Sequence, residues 1–280
     1  MNDEFLFAVE GTELSPKTIT TYTANYRRLM RILKDEPILC FSEERLVKRL
    51  KEEHSVPPMS MNGMVSVVLL IRRSVHLPTT KIEKYKDILS KDHYHNKMMN
   101  SEELIEQLVS ISQLTDYTNQ LLADEDYVGY IINFLMVKFG LRNMDLDLVI
   151  VKDKSIMKDD DTSNYIYLTK KYAMFVVQSY KTRSVYGIKK LKIEDKIFMS
   201  VCEKLMVDND TDEHTLFTST NNNKFIQSKT LNGIGEGMVF KSIIYEMSQE
   251  GYVSLIKKIG ASRGTSLTCV FENYYVESQS

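Results

Sequence analysis

At one point in the chain, FGLRNMDLDLV at residues 139–149, the hydrophobic pattern changes its period. Up to Phe139 apolar residues recur at the three- and four-residue spacing of an amphipathic helix. Beyond Gly140 they alternate with polar ones, as in a strand. DLVIVKD (147–153), NYIYLTK (164–170) and FVVQSYK (175–181) are rich in β-branched and aromatic residues and read as strands. The acidic run 159–164 reads as a turn between the first two. Helical patterns on both sides of one short strand cluster confine the chain to an α+β class, mainly α, with a small antiparallel sheet.

The flanking helices announce themselves by their starts. Ser15 followed by Pro16 is an N-cap with proline at the first helical position, and Ile19, Tyr22, Tyr26, Leu29, Met30 and Leu33 then fall on one face. Ser42 before Glu43 and Glu44 opens a second helix. Pro57 and Pro58 break the chain before an apolar third helix at 60–76, and a shorter fourth is expected at 80–90. These four predict a helical bundle over residues 1–92, with the polar stretch 93–100 as linker. Residues 101–280 form the second domain. Helices are expected at 101–113, 124–139 and 194–206, and a short strand at HTLFTS. The Asn221–Asn223 run reads as a loop, and 228–275 as helical with breaks at Gly237, Gly251 and Gly260.

Composition removes several function classes. No run of 18 apolar residues exists, so no membrane span is expected. The acidic first residues lack the basic start of a signal peptide. Cys40, Cys202 and Cys269 are widely spaced, which predicts reduced thiols inside a cell and neither a disulfide frame nor a metal site. His93 and His95 flank a tyrosine in a polar stretch and predict no ligand pair. No cofactor is expected. The net charge of −2 divides into +3 over residues 1–100 and −5 over the remainder, so local basic faces matter more than the total.

Arg142 stands out chemically. An arginine behind a glycine at a helix end projects from rigid scaffold, and its planar fork suits a phosphate under attack, whose charge spreads over non-bridging oxygens. The plainer alternative is a surface arginine favoured by the negative end of a helix dipole. SPKTITTYTANYRRLMRIL, NSEELIEQL, FGLRNMDLDLV, SYKTRSVYG and MSQEGYVSLIKKIGAS occur in an order that resembles the tyrosine recombinase and phage-integrase superfamily over nearly the whole chain. The resemblance implies a core-binding-like, SAM-like N-terminal bundle and a catalytic-type C-terminal domain. It implies Arg142 on the scissile phosphate, Lys181 as proton donor to the leaving 5′-oxygen, Lys241 as a further cation and Tyr274 as nucleophile. Beside that role, Lys181 reads equally as a solvated strand lysine, and Tyr274 as helix packing.

The departures are equally specific. The family's HxxR box falls on Met238-Val239-Phe240-Lys241, so histidine is lost and lysine replaces the arginine fork. Ala261 stands where a later histidine is frequent. Phe271 occupies the usual nucleophile spacing, leaving Tyr274 or Tyr275. The first expectation is therefore a DNA-binding protein with an eroded site. Its phosphate contacts are Arg27, Arg28, Arg31, Lys48, Arg49, Arg72 and Arg73 from one domain, and Arg183, Lys189, Lys190 and Arg263 beside Arg142, Lys181 and Lys241 from the other. The second is an active recombinase, or a type IB topoisomerase-like enzyme, working through a 3′-phosphotyrosyl intermediate. The third is a protein–protein scaffold. For the DNA readings the partners are duplex DNA or four-way junctions, with a homodimer or tetramer on DNA. The absence of Trp and abundance of Asn, Lys, Asp and Ile fit an AT-rich genome such as a mobile element or large virus.

Overall fold

Helix starts written into the sequence set the first half of the molecule. A computed structural model describes residues 3–99, 101–158, 163–207, 211–218 and 221–274. The chain divides into two compact units, Met1–Ser101 and Glu102–Ser280. In the first, α1 (Asp3–Glu10), α2 (Pro16–Ile32), α3 (Glu43–Lys51), α4 (Pro58–Ser74) and α5 (Thr80–Met99) follow one another. The Ser15 and Ser42 hydroxyls accept from the Thr18 and Arg45 amides, closing the N-termini of α2 and α3. α4 is the centre: Met61, Met64, Val65, Val67, Val68 and Ile71 are all buried, and it packs against α1, α2 and α5.

Two expectations for this unit change. The bundle has five helices, because the acidic N-terminal stretch forms α1. Glu4 accepts from the Ile38 and Leu39 amides, and Phe5 stacks on Tyr26 at 4.7 Å. The backbone at 90–99 continues α5 instead of forming an irregular linker, since neither proline nor glycine interrupts it.

In the second unit, α6 (Ser101–Glu106) and α7 (Ile111–Ala123) replace the single helix expected at 101–113. The Ser110–Gln113 capping box starts a new helix there. α8 (Tyr127–Phe139) begins at the Asp126 cap and ends at Gly140. Five strands follow the order β4-β3-β2-β1-β5: β1 (Leu148–Val151), β2 (Asn164–Leu168), β3 (Ala173–Val177), β4 (Lys189–Ile193) and β5 (Glu213–Thr215). The sheet is mixed where an antiparallel one was expected. β1 and β2 run parallel, Leu148 against Asn164, while the other pairs are antiparallel. The connection 152–163 is about a dozen residues, the length a parallel crossover needs and a hairpin does not. The turn expected at 159–164 lies largely outside the described residues.

The remaining helices are α9 (Arg183–Tyr186), α10 (Lys196–Val207), α11 (Asn222–Ser228), α12 (Glu236–Gln249), α13 (Val253–Arg263) and α14 (Leu267–Asn273). The Asn run is the start of α11, not a loop, because Asn221 caps it through the Lys224 amide. Of the three expected breaks only Gly251 holds. Gly237 lies within α12 and Gly260 within α13, where an added Cβ would meet Val270 at 3.1 Å. One face of the sheet, α8, α10, α12 and α13 share the core around Phe175, Phe198, Phe240 and Ile259. No helix among the described residues is long and apolar enough to cross a membrane.

Candidate functional site

Gly140 fixes where Arg142 stands. It ends α8 in the left-handed region at φ +63°, and its amide bonds Met136 O. Arg142 is extended, and the turn after it (Asn143–Leu146) is tied back by Asp145, whose Oδ2 accepts from the Arg142 amide at 2.9 Å. The half-buried Arg142 guanidinium donates through Nη1 to Arg263 O and through Nη2 to Thr265 Oγ1 at 2.9 Å.

Two further donors reach the same segment. Lys189 Nζ donates to Ser262 O at 3.0 Å, and Thr182 Oγ1 to Gly264 O at 2.8 Å. Three consecutive carbonyls at the end of α13, which lack partners within that helix, thus receive side-chain donors from separate parts of the chain. Arg142 comes from the α8–β1 loop, Thr182 from the β3–β4 connection and Lys189 from the start of β4. Gly264 makes room for them. It sits at φ +69°, and a Cβ there would lie 2.5 Å from Lys189 Nζ and 2.6 Å from Thr182 Oγ1.

Burial pulls the Lys189 ammonium down to about 8; Asp145 opposes that shift and Arg142 adds to it. Burial pushes the Asp145 carboxyl up, against the Arg142 amide bond and the charges of Arg142, Lys189 and Arg263. Asp145 Oδ1 is buried and has no hydrogen-bond partner among the described residues. Asn164, fully buried, holds this floor in place. It donates to Asp145 O and Ser179 O and accepts from the Gln178 and Ser179 amides.

Two residues expected to touch phosphate have other work. Arg263 is 1% exposed: Nη1 donates to Gly140 O at 2.7 Å, Nη2 pairs with Glu236 at 3.0 Å, and the guanidinium lies 4.4 Å over the Phe240 ring. Arg72 is 3% exposed and donates to Pro78 O and Phe41 O, both at 2.9 Å. Both arginines are spent on carbonyls inside their units, so neither reaches a ligand at the surface.

The other expected contacts divide by position. Arg27, Arg28 and Arg31 are exposed on α2, and Lys48 on α3. Lys48 and Arg49 line a hollow of about 330 Å³ with Lys34 and Arg45, opposed by Glu36 and Glu52. Arg49 also donates to Ile32 O, and Arg73 pairs with Glu83 at 2.8 Å. In the second unit Lys181 and Lys190 are exposed, while Arg183 and Lys241 are half-buried. Lys241 is not among the donors to the α13–α14 junction. Tyr274 packs edge-on to Phe240 at 4.8 Å, with its ring 5.3 Å from the Arg263 guanidinium. Tyr275 lies outside the described residues.

Sequence reasoning singled out Arg142, Lys189 and Arg263, but not the other residues that join them. Asp145 had a local signal, an acid three residues past the start of a turn. Thr182, Glu236 and Thr265 had none, because they meet Gly264 O, Arg263 and Arg142 respectively only in three dimensions.

The architecture is thus a mainly α, α+β one, with an arginine-centred site where the α8–β1 loop, the β3–β4 connection and the α13–α14 junction converge. No family model matches the chain, and no curated protein matches it significantly in sequence. Among solved structures it is similar to a crystal structure of XerA recombinase, at 12% identity over 99% of this chain and 92% of that one, with a TM-score of 0.36. An identity that low transfers no residue role.

Proposed function

We propose that the chain binds double-stranded DNA, with Arg142 gripping a backbone phosphate, on a recombinase-type scaffold whose cleavage site has eroded. One observation carries this reading. The Arg142 fork holds two oxygens at once, Arg263 O and Thr265 Oγ1, so the side chain is already ordered in the two-pronged geometry a phosphate needs. A phosphate that takes the fork has to displace those two oxygens, which the half-buried Arg142, unlike the buried Arg72 and Arg263, leaves room for at the surface. The exposed arginines of α2 supply sequence-independent contacts. The eroded reading rests on Met238, Lys241 and Ala261, which replace groups the resemblance leads one to expect.

A second reading, an active strand-transfer enzyme using Tyr274, has one observation in its favour: Tyr274 stacks on the same Phe240–Arg263 cluster that supports Arg142. Its pathway would run through a 3′-phosphotyrosyl bond, with four chains on a junction.

Fluorescence anisotropy with labelled duplex and four-way-junction DNA tests both. Binding is expected to fall steeply with salt. Arg142→Ala is expected to weaken it roughly tenfold and to reduce the salt slope by about one. Arg142→Lys, which keeps the charge and loses the fork, should fall between the two. Thermal melts of each chain separate lost binding from lost folding. A covalent adduct on a denaturing gel, absent in Tyr274→Phe, would sink the eroded-site reading. No binding to either DNA at low salt would sink both and leave the protein–protein scaffold.

A further inference from the structure

We infer that the hollow of the first unit, between the end of α2 and one face of α3, binds a nucleoside phosphate. The inference is independent of the DNA-binding reading above. On α3, Arg45, Lys48, Arg49 and Glu52 recur at three- and four-residue spacing, which puts them on one face, while Leu46 and Leu50 enter the core. Leu33, Lys34 and Glu36 beyond α2, with Phe41 before α3, complete the lining. The volume of about 330 Å³ lies at the lower end of the range that small-molecule sites occupy. It suits one nucleotide, not a duplex.

The lining matches the three parts of such a ligand. Arg45 pairs with Glu36 at 3.1 Å and Arg49 with Glu52 at 3.8 Å. The ammonium groups of Lys34 and Lys48 have neither an ion pair nor a hydrogen bond among the described residues, so the surplus positive charge of the hollow is theirs. A phosphate takes that charge. The Arg45 guanidinium lies 4.6 Å over the Phe41 ring, and its other face, on an exposed side chain, offers a platform for a planar base. Glu36 and Glu52 accept from the amino and hydroxyl groups that a base and a ribose carry and a bare anion lacks.

The backbone supplies a second, independent observation. Lys34 has φ +54°, in the left-handed region that glycine adopts freely and lysine does not, and Asp35 follows at φ +61°. The turn is closed by backbone groups: the Lys34 amide bonds Arg31 O and the Asp35 amide bonds Met30 O. A lysine held at a strained position, while its side chain lines a cavity and bonds nothing in the fold, is explained by a ligand and not by packing.

The test is isothermal titration calorimetry of the full chain with ATP, adenosine and tripolyphosphate, on wild type, Lys34→Gly, Lys48→Met and Arg142→Ala, with a thermal melt of each. ATP is expected to bind at least tenfold more tightly than adenosine or tripolyphosphate, because only it fills both halves of the hollow. Lys34→Gly removes the backbone strain and one phosphate contact together. It should melt at the wild-type temperature or a few degrees above it, yet bind ATP roughly tenfold more weakly. Lys48→Met should weaken ATP about as much with an unchanged melt, and Arg142→Ala, in the other unit, should leave ATP binding as it is. No ATP binding, tripolyphosphate binding as well as ATP, or wild-type ATP affinity in Lys34→Gly overturns the inference. The two lysine variants should also keep duplex affinity within about threefold of wild type. A tenfold loss there gives these cations to the DNA surface and overturns the inference, while the DNA-binding reading stands or falls on Arg142→Ala with duplex.

Discussion

Arg263→Met is expected to destabilise the second unit by about 3–5 kcal/mol, the usual cost of removing one partner from a buried ion pair. The guanidinium is 1% exposed and joins three elements: it holds Gly140 O at the end of α8, Glu236 at the start of α12 and its own place on α13. Without it, Glu236 keeps its bond to the Asn143 amide but loses its counter-charge. Methionine fills the volume over Phe240 yet satisfies neither the carbonyl nor the carboxylate. Urea unfolding monitored by circular dichroism gives the number. A loss below about 1 kcal/mol would show that the ion pair has little net weight. The double variant with Glu236→Gln should cost less than the two single changes added together, because each removes the same contact.

Gly140→Ala is the second large effect, about 2–4 kcal/mol, from two sources. The left-handed backbone at φ +63° disfavours any Cβ, and this Cβ would lie 2.6 Å from the Phe240 ring and 3.1 Å from Ile259. Gly251→Ala is the matched control. It shares a positive φ of +72° but has open space around it, so it isolates the backbone contribution, roughly 1 kcal/mol. Equal losses at the two positions would refute the packing half of the argument. DNA binding should fall further in Gly140→Ala than the unfolded fraction explains, because Arg142 sits two residues from the displaced backbone.

Where a structural choice rests on neighbouring residues, the sequence was readable. Ser15-Pro16, Ser42 and the Gly140 stop mark helix ends by local hydrogen bonding and φ preference, and the three valine- and tyrosine-rich strands mark themselves by side-chain type. β4 was not readable. KKLKI is an edge strand in which Lys190 and Lys192 are exposed, so it carries little hydrophobic signal. The parallel register of β1 and β2 depends on a crossover, not on strand composition. Gly237 and Gly260 look like breaks only until their helices are seen, where one has open space and the other a close neighbour.

The site was half legible for the same reason. Arg142 stands at a junction the sequence marks. Arg72 and Arg263 look like any surface cation, because the carbonyls that bury them come from residues up to about 120 positions away. Lys189 and Lys181 are indistinguishable as letters, and only folding brings one of them to the arginine.

The hold of Arg142 on the end of α13 has a consequence for how such a chain changes over time. Its guanidinium tethers the last turns of the domain whether or not a phosphate is ever cut. Selection for folding alone would keep it whatever residues stood at positions 238 and 241. An arginine at this position thus works as a fastener in its own right, and its presence alone is no record of catalysis.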